Sequence, residues 1–337
     1  MSNILVTGSS GFIGFHLTKK LLECGYCVFG IDNHDPSYDQ TLKEDRLDYL
    51  LNYSKSNNRN FTFFKKDICN YEELKKIFDK FEFNYIFNLA ARAGVRNSIK
   101  DPHSYIESNV NGFLNILEFS KEQNVEHILY ASSSSIYGMK DDKILTELDR
   151  TDSQVSLYGV TKKTNELMAE TYSHLYGLSA TGLRFFTVYG PYGRPDMAYY
   201  KFTKSIFNNN EIEVFNNGNL KRDFTYIDDI IESLIRLMPL SDFSNESSLY
   251  NSGTHHRILN IGNGNPIDLI EFINIIEQLC KKNANKKMLD MQIADVKTTH
   301  ADTKNLYKLI NFKPRTSIEE GLRKFVDWYI SYYKIKL

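Results

Sequence analysis

A tyrosine and a lysine stand four positions apart in Tyr158-Gly-Val-Thr-Lys162. On a helix that spacing puts them on one face, one turn apart. An ammonium beside a phenol favours the phenolate, and a phenolate so poised is a general base for an alcohol proton. Such pairs also occur on ordinary solvated helices, so the weight of this one depends on its surroundings. Upstream, the serine run Ser132-Ser133-Ser134-Ser135 ends an expected strand. Near the start, Gly8-Ser-Ser-Gly11-Phe12-Ile13-Gly14 follows the apolar run 3–7 and precedes a helical pattern of Ile13, Leu17, Leu21 and Leu22. Strand, glycine turn and helix in that order is the context of a dinucleotide site. The glycines let the backbone approach a pyrophosphate, and the helix N-terminus offers unpaired N–H groups and a positive dipole end. A second strand, 27–31, ends at Asp32. An acid there accepts hydrogen bonds from both adenosine ribose hydroxyls and repels a 2′-phosphate, which favours NAD over NADP.

These groups need a scaffold. Further strands are expected at 61–65, leading to Asp67-Ile68, at 85–89, ending in Asn88-Leu89-Ala90-Ala91, at 127–132 and at 178–186. Helices are expected at 71–80, 101–119 and 154–176, the second carrying Asn109 and the third Tyr158 and Lys162. Alternation of this kind predicts an α/β fold with a doubly wound parallel sheet. Arg92 and Arg96 follow a strand end and so face the ligand crevice, unless they form surface ion pairs. Beyond Gly190 the elements shorten, with helices at 196–208, 228–238, 265–280 and 318–333 and an extended segment at 211–215. That predicts a dinucleotide domain over 1–186, with a strand at about 257–261 returning to its sheet, and a smaller C-terminal α/β substrate-binding lobe over 187–337.

Composition narrows the classes of function. The 337 residues carry 41 Lys and Arg against 42 Asp and Glu. That balance gives no global field for nucleic acid or an anionic membrane. The basic stretch 281–287 is expected to be a solvated loop or helix end. No apolar run is long enough to span a bilayer, and no signal peptide is visible. A cytoplasmic protein is expected. Cys24, Cys27, Cys69 and Cys280 are read as packing thiols, since no second pair completes a zinc site with Cys24 and Cys27. No metal is expected.

Gly8-x-x-Gly11-x-x-Gly14, Asp67-Ile68, Asn88-x-Ala90-Ala91, the serine run before Tyr137-Gly138, Tyr158-x-x-x-Lys162 and Arg222-Asp-Phe-Thr-Tyr-Ile-Asp-Asp229 together resemble the extended short-chain dehydrogenase/reductase superfamily, in its nucleotide-sugar branch. The finer pattern, 182–198 with Ala91-Arg-Ala-Gly-Val-Arg96, is similar to the UDP-glucuronate 4-epimerases of capsule and cell-wall precursor pathways. The resemblance implies a Rossmann domain and tightly bound NAD recycled at each turnover. Its cofactor residues would be Gly8, Gly11, Phe12, Ile13, Gly14, Asp32, Asn33, Asp67, Ile68, Leu89, Ala90, Ala91, Asn109, Tyr158 and Lys162. It implies a UDP-sugar substrate held by Arg92, Ser133, Ser134, Thr187, Arg194, Val214, Phe215, Asn216, Arg222 and Asp295. Tyr158, Lys162 and Ser133 would be catalytic. Ser133 takes its role by alignment with the family motif. A homodimer through helices near 101–119 and 154–176 is also implied. One departure is Gln292-Ile-Ala-Asp295-Val296, where the family pattern has Pro and Gly in place of Ile293 and Ala294.

Within that branch, a 4,6-dehydratase places Asp-Glu after its catalytic Thr or Ser, and a uronate decarboxylase tends to place Glu second. Ser134 and Ser135 stand there instead, which favours epimerisation. The expected reaction is interconversion of UDP-glucuronic and UDP-galacturonic acid through a 4-keto sugar. A neutral UDP-glucose or UDP-N-acetylglucosamine 4-epimerase is the alternative, ahead of a decarboxylase or a non-catalytic NAD-binding protein. A 4-keto uronate is a β-keto acid prone to lose CO2. Arg194 is the expected clamp on its carboxylate, because a guanidinium pairs with a carboxylate in two-pronged fashion.

Overall fold

The computed structural model describes residues 2–140, 143–243, 255–292 and 295–336. Ile293 and Ala294, the departure from the family pattern, lie outside the described residues. The elements begin with β1 (Asn3–Thr7), α1 (Phe12–Glu23), β2 (Cys27–Ile31), α2 (Gln40–Ser56), β3 (Phe61–Phe64), α3 (Tyr71–Phe78) and β4 (Tyr85–Asn88). Then come α4 (Val95–Lys100), α5 (Pro102–Ile106), a π-helical turn (Glu107–Asn111), α6 (Gly112–Glu122), β5 (His127–Ser133), a tight turn (Ser134–Tyr137), α7 (Leu157–Tyr176) and β6 (Ala180–Phe185). The remainder is β7 (Thr187–Tyr189), α8 (Ala198–Phe207), β8 (Glu211–Phe215), β9 (Lys221–Tyr226), α9 (Ile227–Leu237), β10 (His256–Ile261), β11 (Pro266–Asp268), α10 (Leu269–Cys280), β12 (Asn285–Leu289), α11 (Lys304–Ile310) and α12 (Ile318–Tyr332).

The chain forms two compact units. The first comprises Met1–Gly138, Arg150–Phe185 and Ile231–Leu259, and the second Met139–Asp149, Phe186–Ile230 and Asn260–Leu337. A seven-stranded sheet runs in the order β10-β6-β5-β4-β1-β2-β3. Its pairs from β3 to β6 are parallel. β10 follows the same direction, since Ala180 N donates to His255 O and Phe186 N to Ile261 O. Strand order reverses between β1 and β4, so a ligand crevice opens at their carboxyl ends. The inner strands are apolar on both faces, as helix-covered parallel strands must be. Leu5, Ile86, Phe113, Ile116 and Ile128 are completely or almost completely buried in one cluster.

In the second unit, β7 pairs parallel and β11 antiparallel with β9. β12 pairs parallel with β8, from Asn285↔Glu211 to Leu289↔Phe215.

Several sequence expectations need correction. The helix expected at 101–119 is broken: Pro102 opens α5, and a π-helical turn precedes Gly112. Proline suits a first helical turn because its missing N–H would be unpaired there anyway. Much of the basic stretch 281–287 leads into and begins strand β12, with Lys286 bound to Glu277 at 2.7 Å and Lys287 to Glu211 at 3.6 Å. The helix expected from 265 starts at Leu269, because 266–268 pair with β9. Helix α2 was not anticipated. Cys24 is exposed at the end of α1 rather than packed, and Cys280 is the buried thiol. Among the described residues, no helix is long and apolar enough to cross a membrane, and no His, Cys, Asp and Glu cluster is arranged to hold a metal.

Candidate active site

The first unit's crevice is built around the turn from β1 to α1. Gly11 N donates to Gly8 O at 2.9 Å. A Cβ at Gly14 would stand 2.0 Å from Gly8 O, so only glycine lets the helix start this close to the strand. No acidic residue occupies the first turn of α1, where Phe12 and Ile13 present N–H groups without helical partners. Asp32 is nearly buried and stitches the turn to the next strand: Oδ2 accepts from Ser10 N at 3.1 Å and Oδ1 from His34 N at 2.9 Å. Asn33 Nδ2 donates to Asp67 at 2.7 Å, and Asp67 also accepts from Cys69 N, which sets buried Ile68 behind it. Across the turn, Thr7 Oγ1 donates to Asn88 Oδ1 and accepts from Ala90 N, fixing Leu89, Ala90 and Ala91 beside the glycines.

Tyr158, Lys162 and the serine run come from α7, β5 and the turn after β5. Ser156 caps α7 by accepting from Gly159 N at 3.1 Å. A Cβ at Gly159 would lie 2.8 Å from Ser135 O, so glycine at this position lets the Tyr158 turn of α7 rest against the serine turn. Ser133 Oγ accepts from Ser135 N at 3.2 Å, and Ser134 begins that turn. The Tyr158 ring meets Tyr105 edge-on at 6.2 Å, and Tyr105 OH is anchored on the carbonyls of Ala93 and Gly94. Lys162 is buried, donates to Ala131 O at 2.8 Å, and is pushed down to about 7 by desolvation. Asn109 lies in the π-helical turn, a distortion frequent at functional sites. Its Oδ1 accepts from Arg92 N, and its Nδ2 donates to Arg92 O and Thr161 Oγ1, so its amide ties the β4 loop to α7.

A buried ion pair underlies this arrangement. Glu166, one turn beyond Lys162, binds Arg184 of β6 through both oxygens at 2.9 Å. Glu166 also accepts from Ser132 Oγ at 2.7 Å, and Arg184 donates to Tyr137 OH at 3.0 Å. Both charged residues are at most 2% exposed. The network therefore fixes β5, α7 and the serine turn to one another.

In the second unit, Thr187 opens β7 and Arg194 follows in the next loop. Arg194 already grips a carboxylate: its Nε and Nη2 donate to Asp196 at 3.0 and 2.6 Å. Arg222 Nη2 donates to Asp295 at 2.7 Å, while Nη1 donates to the carbonyls of Lys221 and Lys297. Val214 is fully buried, so only its backbone can face a ligand, whereas Phe215 is partly exposed at the end of β8. Asn216 donates to Asn219 O at 2.7 Å.

A model of the NAD dependent epimerase/dehydratase family matches residues 4–253. The chain belongs to that family. Among the family's members, Protein CapI of Staphylococcus aureus is 49% identical over 337 residues, covering 98% of this chain and 99% of that protein. UDP-glucuronate 4-epimerase 2 of Arabidopsis thaliana is 42% identical, covering 98% of this chain and 76% of that protein. The crystal structure of UDP-glucuronic acid 4-epimerase from Bacillus cereus with UDP-glucuronic acid and NAD superposes with a TM-score of 0.87 at 31% identity, covering 98% of this chain and 100% of that one.

NAD is the cofactor of this epimerase/dehydratase, and the chain fits it. The cradle at Gly14 would be filled by any Cβ, the α1 terminus carries no acid, and Asp32 ends β2. Sequence reasoning missed α2, whose Arg46 is fully buried and donates to Ser10 O at 3.0 Å and Tyr38 OH at 2.8 Å. The Leu42, Arg46, Leu50 spacing of four could have revealed it, had a charged residue been allowed on a buried stripe. Sequence reasoning also missed Glu166, although the same spacing, 158, 162, 166, places it on the face of Tyr158 and Lys162.

Proposed function

We propose that this protein interconverts UDP-glucuronic acid and UDP-galacturonic acid by oxidation and re-reduction at C4. Gly8, Gly11, Gly14 and Asp32 would hold NAD, which would supply the hydride chemistry at C4. Tyr158 takes the 4-hydroxyl proton as the alcohol is oxidised and gives it back to the keto oxygen after the sugar has turned over. Lys162, when charged, supports the phenolate. Ser133 orients the hydroxyl, and Ser134 and Thr187 add hydrogen bonds to the sugar. Phe215, Asn216 and the Val214 backbone receive the uracil, Asp295 the ribose and Arg222 the diphosphate.

The observation that carries this reading is the turn Ser133-Ser134-Ser135 beside α7. No carboxylate occupies it to eliminate the 6-hydroxyl or assist loss of CO2, so returning the hydride is what these side chains support. The uronate preference draws on the names of the relatives and on Arg194, which Asp196 holds ready for a carboxylate. A homodimer is part of the proposal: Ile106, Leu114, Val160 and Leu167 on α5, α6 and α7 are each at least 39% exposed.

The test is incubation with UDP-glucuronic acid, without added NAD, followed by NMR. UDP-galacturonic acid is the expected product, and Arg194→Ala should lose far more turnover on a uronate than on a neutral hexose. A UDP-pentose product, or conversion of neutral UDP-sugars only, would overturn the uronate epimerase.

A further inference from the structure

Arg92 is among the residues expected to hold the substrate, and its guanidinium is paired with two aspartates. Nη2 pairs with the Asp35 carboxylate, and Nη1 lies 3.6 Å from Asp101. Asp35 belongs to the loop after β2, and Arg92 to the loop after β4. In the sheet those two strands flank β1. A side-chain bond between their loops must therefore cross the mouth of the crevice above the turn that joins β1 to α1. That turn is where a dinucleotide's pyrophosphate rests.

Both ends of the bond start from fixed backbone. Arg92 N and O are held by the Asn109 amide at 2.7 and 2.9 Å. Asp35 N donates to Asn33 Oδ1, Asp35 O accepts from Lys43 Nζ at 2.7 Å, and Asp35 Oδ1 accepts from Ser37 N at 2.9 Å. The side chains are only 28% and 21% exposed, so the pair is partly shielded from solvent, yet water reaches it well enough for it to open. The Asn33–Asp67 bond links the neighbouring β2 and β3 loops and does not cross the glycine turn.

We propose that the Arg92–Asp35 pair is a strap across the dinucleotide crevice that retains NAD between turnovers. Cofactor exchange requires the pair to break, and the chemistry on the sugar does not. The strap rests on NAD as the bound dinucleotide, not on which sugar is the substrate.

The test uses the holoenzyme. Protein carrying its own NAD is mixed with excess isotopically labelled NAD, and the bound label is followed by mass spectrometry after rapid desalting. Arg92→Gln and Asp35→Asn should each speed exchange about fivefold. At ~1.4 kcal/mol per tenfold, that is about 1 kcal/mol, the upper end for a partly exposed ion pair. The double variant should exchange no faster than either single one, because both remove the same bond. Raising the salt concentration should speed wild-type exchange while leaving the double variant nearly unchanged. Asp35→Asn keeps the side-chain shape, so the comparison survives if Arg92→Gln folds poorly. Wild-type exchange rates in Asp35→Asn, multiplied rates in the double variant, or protein that holds no NAD would each overturn the strap. Loss of uronate turnover with exchange unchanged would count against the strap and leave the NAD site standing.

Discussion

Replacing Lys162 with methionine should separate stability from chemistry in the first unit. Burial lowers the Lys162 pKa from 10.5 to about 7. Between those values the unfolded chain holds a proton that the folded chain lacks, so stability rises with pH across that window. The burial penalty is full below about pH 7 and fades as pH climbs toward the unfolded value. At ~1.4 kcal/mol per pKa decade, the penalty at pH 7 is roughly 4 kcal/mol. Methionine fills similar volume without a charge but leaves Ala131 O without its 2.8 Å donor, a loss of about 1–3 kcal/mol. In NAD-free protein at pH 7, Lys162→Met should therefore be the more stable by about 2 kcal/mol, several degrees in Tm. Near pH 10 the order should reverse, because the neutral amine keeps the hydrogen bond at little desolvation cost. Turnover should fall by about a thousandfold. Urea and thermal unfolding at several pH values, with wild type alongside, give the answer. A variant less stable than wild type at pH 7, or a gap that does not change with pH, would refute the reasoning.

Two further substitutions probe the scaffold. Glu166→Gln leaves Arg184 charged and buried without its carboxylate, which should cost about 3–5 kcal/mol and lower the urea midpoint; an unchanged midpoint would mean the pair is not the tie described. Gly14→Ala forces a Cβ to 2.0 Å from Gly8 O, so the purified variant should carry no nucleotide absorbance near 260 nm, and retained NAD would show that the turn tolerates displacement.

Local geometry made much of the nucleotide half legible. The glycine turn must be glycine, Asp32 must end its strand, and Tyr158 and Lys162 must share a face, so residue type and spacing were enough. Helix α2 was hidden because its buried stripe contains Arg46 and Lys43 as well as Leu42 and Leu50. Apolar periodicity cannot register a buried cation whose partners are a backbone carbonyl and a tyrosine. β12 was hidden for the opposite reason. Lys286 and Lys287 read as solvated charge, yet their ammonium groups meet Glu277 and Glu211 while the backbone pairs with β8. The break at 107–111 depends on how Asn109 reaches Arg92 and Thr161, contacts distant in sequence.

The arginines show what spacing leaves open. Three were expected to meet ligand anions, and each is paired with an aspartate: Arg92 with Asp35, Arg194 with Asp196, Arg222 with Asp295. Such pairing fixes a guanidinium in one orientation before any ligand arrives, so less side-chain entropy is lost on binding. It also changes what an anion must do. A substrate carboxylate at Arg194 competes with the Asp196 carboxylate as well as with water, so net affinity reflects a difference between two anionic partners. A neutral hydroxymethyl group has no charge with which to compete. The cost of displacing an internal carboxylate thus subtracts from the preference for a uronate that the arginine supplies. For Arg92 no competitor is needed: its aspartate lies across the crevice, and the pair itself is the functional contact.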